Sequence, residues 1–457
     1  MSGMADSNVQ LQCCKCGKTY PATVADFSCS CGHLLEVQLD LTDLGVSLSE
    51  FQDRPADLGV WRFREMVHPL ADPQKIVTRG EGNTFLYSTE RVSAFVGAKT
   101  FLKHEGENPT GSFKDRGMTT GVTEAIRRGA KTVICASTGN TSASLASYAA
   151  IAGLKCVVLI PDGKIAFGKL SQSLAYGAKV LQVKGNFDQA LALVRQLAEE
   201  KNYYVLNSVN PWRLEGQKTI VWETLFQLGR IGVGTGNNGS GGIGAGQEGL
   251  PDGQTNDGLI GLPDWIVVPA GNLGNISAFG KALKEWHELG WIDRMPRLAA
   301  VQAEGANPLY RTWKAGSKSS GISDTLQAVE NPETIGTAIR IGKPVNWVKA
   351  LKYLKLTNGV VEQVSDQEMM DAKAMVDAAG IGCEPASAAS VAGAKKLLDA
   401  GVIAKTDRVV CVLTGHVLKD ADNTVNYHLG KLPYPSAYAN APILVDASLE
   451  ALEKALA

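Results

Sequence analysis

From about residue 95 onward, short β-branched runs alternate with longer helical patterns, and this alternation restricts the fold more than any other feature of the sequence. TVICAS at 132–137, CVVLIP at 156–161, KVLQV, YYVLN and WIVVPA read as strands. TSASLASYAAIAG at 141–153, GKLSQSLAYGAK at 168–179, FDQALALVRQLAEEK and NISAFGKALKEWHEL read as helices. Near-continuous apolar strands separated by helices indicate parallel sheets covered on both faces, because each parallel crossover lays a helix over the sheet. The fold class expected is α/β. In such folds ligands sit at the carboxyl ends of strands, where the next loop opens onto a helix N-terminus.

Length and charge narrow the function. A chain of 457 residues allows two or three domains at about 150 residues each. The 45 Lys and Arg against 46 Asp and Glu leave a net charge of −1. A nucleic-acid partner is not expected, since binding a phosphate backbone needs a basic surface. No apolar run approaches the roughly 18 residues of a membrane span, so no membrane association is expected. The start, MSGMADSNVQ, lacks a basic stretch followed by an apolar one, and a cytoplasmic location is expected.

Five of the nine cysteines crowd one short segment: Cys13, Cys14, Cys16, Cys29 and Cys31. The other four, Cys135, Cys156, Cys383 and Cys411, lie in apolar stretches and read as core. Cys13-x-x-Cys16 and Cys29-x-Cys31 are each followed by a glycine, Gly17 and Gly32, which permits the tight turn of a zinc knuckle. Cys13, Cys16, Cys29 and Cys31 are the candidate ligands of a structural Zn²⁺, although the short second pair and adjacent Cys14 leave the set ambiguous. The alternative is a ribbon that folds onto the main body without metal. Further along, residues 229–261 hold 13 of the 49 glycines without an apolar period and read as a mobile surface insertion.

Chemistry concentrates in HEGENPTGSFKDRG, His104 to Gly117. Pro109 and Gly111 mark a turn, Ser112 is the expected helix cap, and Lys114 falls in or near the first helical turn. There the helix dipole and neighbouring Arg116 both favour a neutral amine, and a lysine of lowered pKa can form a Schiff base. Three further loops follow buried strands: Ser137-Thr138-Gly139-Asn140-Thr141, Gly271-Asn272-Leu273-Gly274-Asn275 and Leu413-Thr414-Gly415-His416. Each offers backbone N–H groups or hydroxyls to an anion. Taken alone, Lys114 reads better as a residue alternating with Asp115 and Arg116 on a solvated face, and each single loop as an ordinary turn is an open alternative.

Together NPTGSFKDRG, STGNTSAS, GNLGN and LTGH-x-LKD, in this order, resemble the threonine synthases, pyridoxal-phosphate enzymes similar to the tryptophan synthase β-subunit. The resemblance spans about residues 60–430. It implies two parallel-sheet α/β domains of the fold type II kind behind a zinc-ribbon-like module at 1–45. The catalytic region would be 46–430, its smaller domain about 100–220, with a C-terminal tail at 431–457.

The resemblance further implies that Lys114 holds pyridoxal 5′-phosphate and shuttles protons along the substrate carbons, with Phe113 packed on the ring. Asn140 would donate to the phenolic oxygen, Gly271, Asn272, Leu273, Gly274 and Asn275 would cradle the cofactor phosphate, and Thr414 would face the ring nitrogen. The family's substrate, O-phospho-L-homoserine, carries a second phosphate. Asn207, Ser208 and Arg213 match the positions that bind it, with Thr141 and Asn272 as helpers, while Ser137, Thr138 and Thr141 would take the carboxylate. A homodimer is expected by the same likeness. The segment EPASAAS, Glu384 to Ser390, resembles a family segment without a clear role. The rivals are a threonine or serine dehydratase on the same fold, which has no use for Arg213, and a non-catalytic binding protein, which would be colourless.

Overall fold

The computed structural model describes residues 8–24, 26–42, 44–162, 167–184, 187–233, 259–316 and 325–456. Thirteen strands are named in chain order: β1 (Val9–Cys13), β2 (Thr19–Pro21), β3 (Leu35–Leu39), β4 (Leu86–Ser88), β5 (Lys99–His104), β6 (Thr132–Ala136), β7 (Lys155–Pro161), β8 (Lys179–Val183), β9 (Tyr204–Val205), β10 (Trp265–Pro269), β11 (Arg297–Ala303), β12 (Val360–Val364) and β13 (Arg408–Leu413).

These strands form three sheets. β2-β1-β3 is a small antiparallel sheet. β8-β7-β6-β9 is fully parallel, and β12-β11-β10-β13-β5-β4 is parallel except for its edge strand β4. The central strands β6 and β10 are buried at every position, as continuous apolar runs covered on both faces must be. The four-stranded sheet is drawn only from residues between Thr132 and Val205, a narrower stretch than 100–220, because β5 pairs with β13 in the larger sheet. The expected strand YYVLN is reduced to Tyr204–Val205.

The expected insertion at 229–261 lies outside the described residues over 234–258, and its first residues continue the long helix Pro211–Val233. That helix packs against the helix Lys114–Arg127 at close range. A Cβ on Gly216 would sit 1.8 Å from the Arg116 carbonyl oxygen, so the two backbones meet where only glycine fits. No helix among the described residues is long and apolar enough to cross a membrane.

A buried ion network fixes the start of the Lys114–Arg127 helix. The fully buried Arg116 guanidinium donates to Glu105 at 2.6 Å and to Glu223 at 2.7 Å, and Lys103 reaches Glu223 at 3.1 Å. Two cations and two carboxylates satisfy one another with hydrogen bonds on both sides, the condition under which buried charges are tolerated. β5, the helix carrying Lys114 and the helix carrying Arg213 are thereby tied at one point.

Candidate active site

The loops singled out from sequence all open at the carboxyl ends of parallel strands. β5 runs into the Lys114 turn, β6 into Ser137–Thr141, β9 into Asn207–Ser208, β10 into Gly271–Asn275 and β13 into Thr414. Backbone bonds stitch two of them together directly: the Phe113 N–H donates to the Thr414 carbonyl at 3.1 Å, and the His416 N–H to the Gly111 carbonyl at 3.0 Å. Lys114 and Thr414 are therefore neighbours despite their separation in the chain.

Two expectations at this turn are corrected. Ser112 does not cap the helix: Phe113 occupies the N-cap position without a side-chain bond, and the buried Ser112 hydroxyl has no partner among the described residues. Nor is Arg116 what favours neutral Lys114, because its charge is absorbed by Glu105 and Glu223. Desolvation comes first and the nearby Arg213 charge second; with Glu384 opposing, they bring the Lys114 amine down to about 7. The amine lies 4.3 Å from the centre of the Phe113 ring.

Arg213 is the most unusual side chain of the site. It is 1 % exposed, and its Nε and Nη2 find no acceptor among the described residues. Burial lowers its pKa only to about 10, so it stays charged at neutral pH. It lies along the Lys114–Arg127 helix, where Gly117 and Gly121 leave room for its stem. A buried, unpaired cation is costly unless an anion meets it.

The remaining candidates divide by what the fold does with them. Asn207 spends its amide on backbone, with Oδ1 accepting from the Ala136 N–H at 3.1 Å and Nδ2 donating to the Ala136 carbonyl at 2.9 Å; it pins the end of β6. Asn140 begins the helix Asn140–Ile151 and donates to both oxygens of Glu384, at 3.2 and 3.1 Å. Ser137, Thr138 and Asn140 are half-buried and Thr141 is buried, with the Gly139 N–H turned onto the Ser137 hydroxyl. Thr414 Oγ1 lies 3.0 Å from Ser387 Oγ and donates to Glu384 at 3.5 Å.

Leu273 takes a left-handed backbone, φ 66°, ahead of the helix Gly274–Glu288, a conformation that leucine adopts only where surroundings enforce it. The N–H groups of the first helical turn after this loop have no acceptor within the helix, which leaves them as donors for an anion. Behind it there is little space, since a Cβ on Gly271 would lie 3.1 Å from the Ala338 carbonyl oxygen.

Sequence reasoning passed over Glu384 as a site residue. A buried acid directly before Pro385, which opens the helix Pro385–Asp399, was the available signal. Asn346, described below, carried none.

Comparison with known proteins agrees with this geometry. The family described as pyridoxal-phosphate dependent enzyme matches residues 77–415. The threonine synthase of Methanocaldococcus jannaschii is 46% identical over 416 residues, covering 91% of this chain and 94% of that protein. That of Methanosarcina acetivorans is 42% identical over 449 residues, covering 98% of each. The chain belongs to the threonine synthase family. Among solved structures, maize serine racemase superposes with a TM-score of 0.58 at 20% identity, covering 81% of this chain and 97% of that one. At that identity the likeness concerns the fold alone: fold type II, with parallel sheets.

As a member of the threonine synthase family the chain is a pyridoxal-phosphate-dependent lyase, and its residues fit that group. A Lys114 amine brought down to about 7, the backbone N–H groups of Gly271–Asn275 ahead of and within the first turn of a helix and the polar Thr414 at the end of β13 supply the chemistry a phosphorylated pyridine aldehyde needs.

Away from this pocket, the sulfur atoms of Cys13, Cys16, Cys29 and Cys31 all lie within 4.8 Å of one another, with Cys13 to Cys31 at 3.4 Å and Cys16 to Cys29 at 3.6 Å. Tetrahedral Zn–S bonds of about 2.3 Å require sulfur separations of about 3.8 Å, so the cluster matches a zinc site closely. Gly17 and Gly32 turn at positive φ, 74° and 84°, directly after each cysteine pair. Cys14 stands outside the cluster.

Proposed function

We propose that this chain converts O-phospho-L-homoserine and water to L-threonine and inorganic phosphate. The observation that carries the reading is Arg213: a charged, buried guanidinium with unused donors beside Lys114 is a seat for a dianion other than the cofactor's own phosphate. The identity to threonine synthases over nearly the whole chain supports the same substrate.

Bound pyridoxal phosphate supplies an electron sink for charge developed on the substrate carbons. The protein's part is binding and proton transfer. Arg213 binds the substrate phosphate and holds its charge as the Cγ–O bond breaks, with Ser208 and Thr141 as further donors that the family likeness assigns to it. Asn207 keeps the end of β6 in place so that Ser137 and Thr138 meet the substrate carboxylate. Lys114 Nζ, brought down to about 7 and so present in both protonation states near neutral pH, takes and returns protons along the carbon chain. Thr414, a neutral hydroxyl at the end of β13, would face the ring nitrogen of the bound cofactor and, carrying no charge, would not hold that nitrogen protonated. Asn140, whose Nδ2 donates to Glu384, would hold the phenolic oxygen of the cofactor.

Supplying the purified protein with pyridoxal phosphate and O-phospho-L-homoserine tests this. Phosphate and L-threonine are expected in equal amounts. Phosphate alone would remove the hydration step from the reading, and neither product would remove the substrate.

Within the same reading, the four cysteines hold one structural Zn²⁺ and the enzyme is a homodimer. Metal analysis is expected to find about one zinc per chain, and Cys16→Ser with Cys31→Ser to abolish it. Full occupancy surviving that double substitution would place the metal elsewhere. Sedimentation is expected to give twice the chain mass.

A further inference from the structure

Asn346 stands at the N-cap of the helix Trp347–Leu356, a position where asparagine ordinarily accepts a bond from the first turn. Here the side chain makes no such bond. It is 1 % exposed, and its Nδ2 donates instead to the Ser208 carbonyl at 3.1 Å and to the Asn272 carbonyl at 3.2 Å. The buried Oδ1 has no partner among the described residues. Reversing the amide would set Oδ1 against two carbonyl oxygens, so the donors' orientation is fixed by their partners.

One amide thus joins the two loops that the proposed function assigns to two different phosphates. We infer that Asn346 is a positioning residue that aims both sets of phosphate donors. In a trans peptide the carbonyl and the following N–H point in opposite directions. Holding the Asn272 carbonyl on one side turns the Leu273 N–H to the other, and holding the Ser208 carbonyl does the same for the Val209 N–H. At Asn272 the peptide leads into the left-handed Leu273, a conformation that needs outside support.

Asn346 is itself held from two directions. Tyr353 of its helix lies so close to Gly280 of the helix Gly274–Glu288 that a Cβ there would come within 2.2 Å of it. On the other side the buried Lys349 donates to the Leu35 carbonyl at 2.6 Å, and Lys352 pairs with Glu36 at 2.9 Å, both on β3 of the cysteine module. The module therefore braces the helix from which Asn346 spans the site.

This inference rests on the assignment of the two loops to two phosphates, and its test separates the two ideas. Asn346→Asp keeps the shape and loses the paired donors; Asn346→Ala removes both. For each, pyridoxal phosphate affinity is read by absorbance titration of the cofactor-free protein and inorganic phosphate affinity of the loaded enzyme by calorimetry, with KM, kcat and thermal midpoint alongside. Both affinities are expected to weaken together by about tenfold, the size typical of losing an outer-shell partner, with KM rising alike and kcat at saturation nearly unchanged. Weakening of one affinity alone, of neither, or a fall in kcat at unchanged affinities overturns the inference, as does loss of folding in both variants. Failure of the unaltered enzyme to make threonine would strike the functional reading instead, while the two binding measurements would still judge Asn346.

Discussion

Replacing Lys114 by alanine is expected to leave a folded protein that makes no detectable threonine, a loss of roughly 10⁴-fold or more, as for removal of other covalent catalytic groups. The fold does not depend on this amine. The helix that carries it is anchored by Arg116, Glu105 and Glu223, and the amine itself is a desolvated group facing the Phe113 ring. The thermal midpoint is accordingly expected to hold or to rise slightly.

The direct readout is covalent capture of pyridoxal phosphate, fixed by borohydride and located by mass. Capture requires the neutral amine. With Lys114 lowered to about 7, first by desolvation and second by Arg213, the neutral fraction falls about tenfold for each pH unit below that value. The capture rate at low cofactor concentration should therefore climb through pH 6 to 7 and level off above, where an ordinary lysine would still be climbing at pH 10. Covalent capture by Lys114→Ala, or an acid limb near 10, would take the cofactor away from this residue.

The strands were legible because a buried parallel strand is a continuous apolar run. β6 and β10 are buried at every position, and their sequences contain no other pattern. The loops at their ends were legible for the complementary reason, polar residues and glycines placed where backbone donors are left over. Hidden from the sequence was the choice among partners distant in the chain. Arg116 sits beside Lys114 in sequence yet spends its charge on Glu105 and Glu223, whereas Arg213 sits far along the chain and acts on the amine. Asn207 resembles a ligand residue by motif and is committed to the Ala136 backbone. Leu273 adopts the left-handed turn that composition would give to one of the flanking glycines. Asn346 carries no signal in the sequence; its role rests on donors turned onto two other loops.

Arg213→Leu is expected to lower kcat/KM for O-phospho-L-homoserine by 10²- to 10⁴-fold, roughly, while stability holds or increases. The argument on activity starts from unused donors. Nε and Nη2 are buried without acceptors, and two charge-assisted hydrogen bonds to a phosphate contribute about 1.5–3 kcal/mol each. A tenfold change corresponds to about 1.4 kcal/mol, which sets the range. The loss should fall mainly on KM if the phosphate is held equally before and during C–O cleavage, and on kcat to the extent that Arg213 grips the leaving group more tightly as its charge develops. Lysine should recover only part of it, since an ammonium cannot offer the paired donors of a guanidinium. On stability the sign is opposite, because leucine removes a buried cation that the unliganded protein leaves unpaired. A dehydratase built on this fold would handle an unphosphorylated serine or threonine with Lys114, Asn140 and the glycine loop alone, and Arg213→Leu would then change little. Undiminished phosphohomoserine turnover in this variant would move the substrate phosphate away from Arg213. A large loss joined to unchanged or higher stability would identify a residue kept for its ligand against the preference of the fold.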